Sequence, residues 1–401
     1  MKKIFCLGLL ILFVISLATP AAMANNLSTF ESFDNEIVVT DEIITKISLG
    51  WAASTNPGLE LHIDNIIPFH EVDGSKRGYV ASYYSMRGEP FGYIILDFFS
   101  ENIIEEYVIE KGALGIAETI AQNAQVDDYS KKINKNDAAL YRTLPFQYVV
   151  SIKDDMEKNH DTRAIYGFDG EISQKEFSTL AEALEPRITR ASTSTPTTAK
   201  VNHWGDVIID SVPSIGYTLV QLAVLTPMST PITEMSTIST VGRYACAVQA
   251  LTNIANSKSM YSNNSFSDTY YLLWNASSTT FLPGQTVYGS TPRNRIGAAL
   301  VTLGTSVGRT VTYSTSTSPT FNTFSSAVSA SKPSVLTGTV TLQDNTLSAH
   351  TVFVTGFVVL SNGSATFNFI RIADGWGNNH RYINWANADL YERQSDIFTI
   401  G

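Results

Sequence analysis

Apolar and polar positions in the first half of the chain follow both helical and strand periods. Residues 41–51 and 114–123 have the spacing of amphipathic helices. Stretches typical of strands occur at residues 78–84, 90–98 and 103–109. A polar turn around Ser100 and Asn102 separates the last two and predicts a hairpin-like pair. This half therefore predicts a compact α+β domain.

The second half has helical patterns first and strand patterns afterwards. A helix is predicted to begin at Cys246, with an apolar face formed by Val248, Leu251, Ile254 and Ala255. A shorter helix is predicted within residues 294–303. Strand patterns follow at residues 333–340, 350–359 and 365–372. Because Asn362-Gly363 favours a tight hairpin turn, the last two strands are expected to pair antiparallel.

The first residues have the pattern of an export signal. Lys2 and Lys3 precede an apolar run over residues 4–18, and small residues follow at Ala22-Met23-Ala24. We therefore expect a signal peptide over residues 1–24 and a secreted product. No later stretch approaches the ~20 consecutive apolar residues of a membrane span, so no membrane association is expected after cleavage.

Charge divides the remaining chain into two parts. Residues 1–199 carry a net charge of −11 and residues 200–401 a net charge of +1. The breaker-rich stretch 186–200 has no apolar periodicity and predicts a linker, with Arg187 and Arg190 as cleavage candidates. The expected domains are therefore 25–185 and 201–401. The chain has no basic patch, and no nucleic-acid partner is expected.

Cys246 is the one cysteine that remains once the leader, with Cys6, is removed. In an exported protein such a thiol is a small core hydrophobe, a partner for another chain, or a nucleophile. The helix dipole favours an anion at the N-terminus of a helix. The position therefore predicts a thiol with a lowered pKa, suited to nucleophilic chemistry.

A nucleophilic thiolate needs a base and a group that orients the base. His350 begins the long predicted strand, and Asp374 ends the strand that the hairpin returns beside it. Trp376, between two glycines, is expected to cover the contact between the imidazole and the carboxylate. The remaining histidines lack the spacing of metal ligands, and neither a metal nor another cofactor is expected.

This order of motifs, with Cys at a helix start, His at the head of a strand and a polar residue before Gly-Trp-Gly, resembles the papain-like cysteine peptidases. The resemblance is to secreted bacterial members of the streptopain and staphopain kind and to related peptidases with a bacteriocin-processing-type domain. It covers roughly residues 200–401. The front half is similar to streptopain-type prosegments in the strands around residues 92–96 and 104–107.

The resemblance implies a papain-like fold with a helical and an antiparallel subdomain, made as a zymogen. Cys246 would be the nucleophile, His350 the general base and acid, and Asp374 the orienting residue where many relatives have Asn. The family usually has a Gln shortly before the Cys as an oxyanion donor. None is present there, and Gln221, further upstream, is the candidate. The expected partners are a protein or peptide substrate and the chain's own prodomain, residues 25–185, as inhibitor.

Two alternatives stay open. The thiol could serve a thiol amidase or acyltransferase acting on cell-wall peptides. The chain could also be a catalytically inactive, secreted binding protein of the papain fold. Thiol reactivity separates these classes, because a buried, inert thiol reacts only after denaturation.

Overall fold

The computed structural model describes most of the chain from residue 39 onward. The described ranges are 39–98, 103–129, 133–143, 146–153, 163–168, 170–182, 218–225, 243–282, 286, 288–341, 347–361, 366–375, 380–386 and 392–401. The expected signal peptide, the expected linker and Trp376 lie outside these ranges.

The front half, described over parts of residues 39–182, begins with helix α1 (Asp41–Thr55). Thr40 caps this helix by accepting the N–H of Ile43 at 3.3 Å. Asp41 and Glu42 in its first turn complement the helix dipole. An antiparallel meander follows, formed by β1 (Leu61–Glu71), β2 (Lys76–Ser85), β3 (Pro90–Asp97) and β4 (Ile104–Ile109). The chain then forms helix α2 (Ile116–Asn123).

The meander is extended on its β1 side. Strand β5 (Ala138–Arg142) lies parallel to β1. The antiparallel strands that continue from it are β6 (Tyr148–Lys153), β7 (Arg163–Gly167) and β8 (Gly170–Ile172). Residues 174–182 are helical. Ile116 and Ile120 of α2 pack into a core with Phe69, Ile95 and Val150 of the strands.

Helices cover both faces of the sheet in the back half. They are α3 (Cys246–Ser257), α4 (Phe266–Ala276), α5 (Ile296–Ser306) and α6 (Phe321–Ser329), with 3-10 turns at Ser262–Asn264 and Arg293–Arg295. Helices α3, α4 and α5 share a core with Val335 and Phe353 of the sheet. Helix α6 belongs to a separate core with Leu336 and Val352. Neighbouring strand residues therefore face different helices, as the alternation of a strand requires.

The strands of the back half are β9 (Thr218–Val224), β10 (Thr280–Phe281), β11 (Gly289–Ser290), β12 (Val311–Ser316), β13 (Ser334–Thr341), β14 (Leu347–Ser361), β15 (Thr366–Ala373), β16 (Arg381–Asn384) and β17 (Glu392–Ile400). The order across the main sheet is β12-β17-β13-β14-β15-β16, and β9 also pairs with β14. Strands β10 and β11 form a separate pair.

The two halves share one sheet. Strand β16 pairs antiparallel with β4, with Tyr382 opposite Tyr107 and Ile383 opposite Glu106. The core beneath this junction is also shared, because Trp51 of α1 packs on Phe369 of β15 with ring centroids 5.3 Å apart. The front half is therefore joined to the back half by backbone pairing and by a common apolar core.

The observed architecture is of the α+β class, as expected. The strands predicted at residues 78–84, 90–98 and 103–109 are β2, β3 and β4, and the predicted helix start at Cys246 is the start of α3. The predicted hairpin is confirmed, since β14 and β15 pair antiparallel from Phe353 opposite Ala373 to Ser361 opposite Thr366. The junction between β4 and β16 was not predicted.

Candidate functional site

Cys246 is the first residue of α3, and the preceding turn holds it in place. The N–H of Ala245 donates to the hydroxyl of the buried Tyr270 at 3.1 Å. Ala245 is the N-cap of α3, and no side chain caps the helix there. The first N–H groups of α3 therefore meet the thiol without competition from a capping side chain.

The thiol of Cys246 lies against strand β14. Its Sγ accepts the backbone N–H of Thr351 at 3.4 Å. Thr351 directly follows His350, so the thiol lies beside the peptide bond that joins these two residues. The structure thus places Cys246 next to the part of β14 that contains His350, the base that the sequence predicted.

The sequence prediction of a lowered thiol pKa is wrong for this arrangement. Burial raises the pKa of Cys246 and is the largest effect. Hydrogen bonds from Thr351 and from the N–H of Ala247 act in the opposite direction, because they stabilise the thiolate. Cys246 is therefore a neutral thiol in this form of the protein, and the helix N-terminus does not overcome desolvation.

His350 is almost fully buried, with 3% of its surface exposed. Its ring lies against the front half, where Nδ1 is 3.4 Å from Nε2 of Gln147 and the centroid is 6.5 Å from that of Phe146. Burial lowers the pKa of His350 to about 4, although the carboxylate and backbone carbonyl of Asp374 both favour the protonated ring. The imidazole is therefore neutral near pH 7.

The thiol of Cys246 and the imidazole of His350 lie on opposite faces of β14. Thr351 turns its hydroxyl toward the thiol. His350 is its neighbour in the strand, and successive side chains of a strand point to opposite faces. The imidazole accordingly points toward Phe146 of the front half. In this form the thiol and the imidazole are both next to the peptide bond between His350 and Thr351, and the ring points toward the front half.

Asp374 directly follows β15 and is buried. The hairpin brings it back to His350, as the sequence predicted, but the contact differs from the expected one. Asp374 acts on the ring of His350 through its charge and its backbone carbonyl, and both favour the protonated ring. The carboxylate instead accepts a hydrogen bond from Nη1 of Arg381. The tertiary structure therefore gives Asp374 a cationic partner that the sequence analysis did not identify.

Arg381 is the centre of a buried ion cluster between the halves. Its Nε and Nη2 donate to the two carboxylate oxygens of Glu106 at 2.8 Å each. Its Nη1 also donates to the carbonyl oxygen of Phe146 at 3.1 Å. Burial alone would lower the pKa of Arg381, but Glu106 and Asp374 raise it well above the ordinary value. The guanidinium is therefore charged, with one carboxylate from each half.

Sequence reasoning did not find Glu106, Arg381 and Gln147. A usable signal was present for two of them. Glu106 lies within the apolar strand β4, and Arg381 opens the short strand β16. A charge in a strand that is buried on both faces requires a partner of opposite sign. Gln147 offers no comparable signal, because it lies between β5 and β6, where a single polar residue is ordinary.

The structure does not bring Gln221 to this site. Gln221 is exposed on β9 and pairs with Val359, at the far end of β14 from His350. It is therefore no oxyanion donor in this arrangement, and the backbone N–H groups at the start of α3 are the nearest alternative. Trp376 lies outside the described residues.

Within the described ranges, no three His, Cys, Asp or Glu side chains come together in a way that could hold a metal ion. None of the helices in those ranges is long and apolar enough to cross a membrane. No protein-family model matches the chain, and no curated protein matches it either.

Proposed function

We propose that this protein is a secreted cysteine endopeptidase, made as a zymogen, with a papain-like back half. Cys246 is the nucleophile, His350 the general base and acid, and Asp374 the residue that orients His350. Residues 25–185 form the inhibitory prodomain, and the linker over residues 186–200 contains the processing site.

One contact carries the proposal. The thiol at the start of an uncapped helix accepts the N–H of Thr351, the residue that follows His350, and Asp374 favours the protonated ring of His350. A thiol, an imidazole and a carboxylate thus lie around one short stretch of β14 and the end of β15. In this form the thiol and the ring face opposite sides of β14, so acyl transfer requires the ring to turn toward the thiol once the front half has left. A cysteine packed only for its apolar volume has no need of such neighbours.

The position of the front half fits an inhibitor. Phe146 and Gln147 contact His350, and Glu106 binds the arginine that holds Asp374. With this cover in place, burial disfavours both the thiolate and the imidazolium. Removing the front half readmits water to His350, so the pKa of the ring rises toward its ordinary value. The imidazolium of His350 and the thiolate of Cys246 then become accessible.

The mechanism follows from these roles. After activation, the thiolate of Cys246 attacks the carbonyl carbon of a peptide bond and forms a covalent tetrahedral intermediate. Backbone N–H groups at the start of α3 stabilise the oxyanion. His350 gives its proton to the leaving amine, and the acyl-enzyme forms. His350 then removes a proton from water, which attacks the thioester and releases the acid.

An inactive binding protein is the second candidate, and a specific observation favours it. Gln221 is remote from the thiol, and the pKa of Cys246 is raised. Losing one oxyanion donor typically reduces kcat by ~10²- to 10³-fold. A protein of this class would keep its front half permanently and leave Cys246 unreactive.

The test is exposure of the full-length protein and its Cys246→Ala variant to an epoxide or iodoacetamide probe, followed by intact mass over time. The wild type is expected to lose a mass close to that of residues 25–185 and to take one probe on Cys246, while the variant stays full length. If both remain full length, the linker is cut with an added protease. A thiol that still fails to react would exclude the peptidase and favour the binding protein.

A further inference from the structure

The junction between the halves resembles a bound peptide strand. Strand β4 of the front half adds to the edge of β16, with Glu106 opposite Ile383 and Tyr107 opposite Tyr382. Glu106 binds the guanidinium of Arg381 through both carboxylate oxygens. The ring of Tyr107 stacks on that of Tyr382, with centroids 4.7 Å apart and planes 5° apart. The back half thus receives an extended segment through backbone, carboxylate and aromatic contacts.

Most partners of Glu106 belong to the front half, but its cationic partner does not. The hydroxyls of Tyr93 and Tyr148 both donate to Glu106. These hydroxyls depart when the front half leaves. Arg381 stays and keeps Asp374 on Nη1, while Nε and Nη2 lose their carboxylate. Those two donors form the planar fork that binds a carboxylate in a bidentate way.

A vacated fork of this kind favours a new anionic partner. Asp374 alone neutralises the charge of Arg381, but it occupies only one of the three guanidinium nitrogens. The adjacent edge of β16 offers unpaired backbone groups to an incoming strand once β4 has left. The guanidinium that binds a carboxylate and the strand edge that β4 occupies therefore lie at the same place, next to Asp374.

We propose that, after the front half leaves, Arg381 and the edge of β16 form a binding subsite for extended, acidic peptide segments. The preferred segment has a Glu, bound by the fork of Arg381, followed by an aromatic residue that stacks on Tyr382. This inference rests on the proposed function, because it requires the front half to be removed. It assigns a substrate or product class to that site: polypeptides that present Glu-aromatic sequences in extended form.

The experiment uses the full-length Cys246→Ala chain with a site-specific protease sequence inserted in the linker. The chain is cut and titrated with a fluorescent peptide of residues 103–110, and binding is followed by polarisation. Three peptide variants are compared, namely Glu106→Gln, Glu105→Gln and Tyr107→Ala. Glu105→Gln is the matched control, because Glu105 pairs with Arg142 of the front half at 2.8 Å, whereas Glu106 pairs with Arg381.

The parent peptide and Glu105→Gln are expected to bind within about twofold of each other. Glu106→Gln is expected to bind about 10- to 100-fold more weakly, the effect of losing a charge-assisted, bidentate pair. Tyr107→Ala is expected to bind several-fold more weakly. In a chain that also carries Arg381→Gln, the difference between the parent peptide and its Glu106→Gln variant should disappear. If that chain does not fold, the peptide series on unaltered Arg381 still decides.

Equal binding of the parent peptide and its Glu106→Gln variant would overturn the inference. So would failure of every peptide to enter the cut chain, since the fork would then never be open to a ligand. Probe labelling of Cys246 in the cut wild-type chain is measured in parallel. If the chain discriminates between the peptides but the thiol does not react, the acidic subsite is supported and the peptidase is excluded. If the thiol reacts but the chain does not discriminate, only the subsite is excluded.

Discussion

The side-chain amide of Gln147 lies 3.4 Å from Nδ1 of His350, although the first residue belongs to the front half and the second to the candidate catalytic strand. Phe146, beside Gln147, packs near the same ring and is itself buried. The environment of His350 is therefore set by both halves, and any change that separates them changes the charge that this histidine can carry.

The first prediction concerns the pH dependence of stability. The pKa of His350 is about 4 in the folded protein, below its ordinary value of 6.5. The unfolded chain therefore binds a proton that the folded protein does not between these values, and stability is lost as the pH falls from about 6.5 toward about 4. Between pH 7 and pH 5 the wild type should lose about 2 kcal/mol more unfolding free energy than His350→Gln, measured by urea denaturation. An equal loss in both proteins would contradict this.

The second prediction concerns the ion pair between Glu106 and Arg381. Glu106→Gln leaves a buried guanidinium with one carboxylate fewer, so the free energy of unfolding should fall by about 2–4 kcal/mol. Glu89→Gln is the control, because Glu89 and Lys111 form an exposed pair at 3.2 Å and the change should cost less than about 1 kcal/mol. Chemical denaturation of both variants measures the difference. Similar losses in the two would show that Arg381 does not depend on Glu106.

The third prediction concerns the protonation of Cys246. The hydroxyl of Thr351 bonds the thiol and favours the thiolate. Thr351→Val keeps the shape and the backbone N–H but removes this bond, so the pKa of Cys246 should rise further. The pH at which iodoacetamide labelling of the linker-cut protein is half-maximal measures the effect. Thr337→Val is the control, because it removes the hydroxyl partner of Thr351 at 3.0 Å and leaves the contact with Cys246. The same midpoint in all three proteins would refute the role of Thr351.

The fourth prediction concerns the shared core. Trp51 is 1% exposed and packs on Tyr107 and Phe369, one from each half. Trp51→Ala should therefore reduce the free energy of unfolding by about 3–5 kcal/mol. Probes in both halves should report one transition with the same midpoint. Met86→Ala is the control, since Met86 is 69% exposed and its removal should change stability by less than about 0.5 kcal/mol. Separate transitions for the two halves would show that they fold independently.

Local patterns predicted the elements that carry the site. Helix α3 begins at Cys246 because its apolar positions recur with the helical period, and β14 pairs with β15 because a turn dipeptide separates two strand patterns. These signals depend on neighbours within a few residues. The return of Asp374 to His350 follows from the same hairpin, and it was predictable for that reason.

The partners of the site residues depended on contacts between distant parts of the chain. The position of Gln221 on β9 follows from its pairing with Val359, which no local pattern specifies. The raised pKa of Cys246 arises from burial by surrounding elements, which outweighs the local influence of the helix start. For the same reason, the sequence could not indicate that Arg381 binds the carboxylate of Asp374.

The sequence by itself determined the α+β class, the helix that begins at Cys246 and the hairpin that returns Asp374, because these depend on periodicity and turn chemistry within short segments. Only the tertiary structure decided that β4 pairs with β16 and that Glu106 and Asp374 share Arg381. It also decided that Gln147 meets His350. Pairing between strands far apart in sequence depends on the geometry and burial of the whole sheet, and these determine which charges are desolvated together and which protonation states they hold.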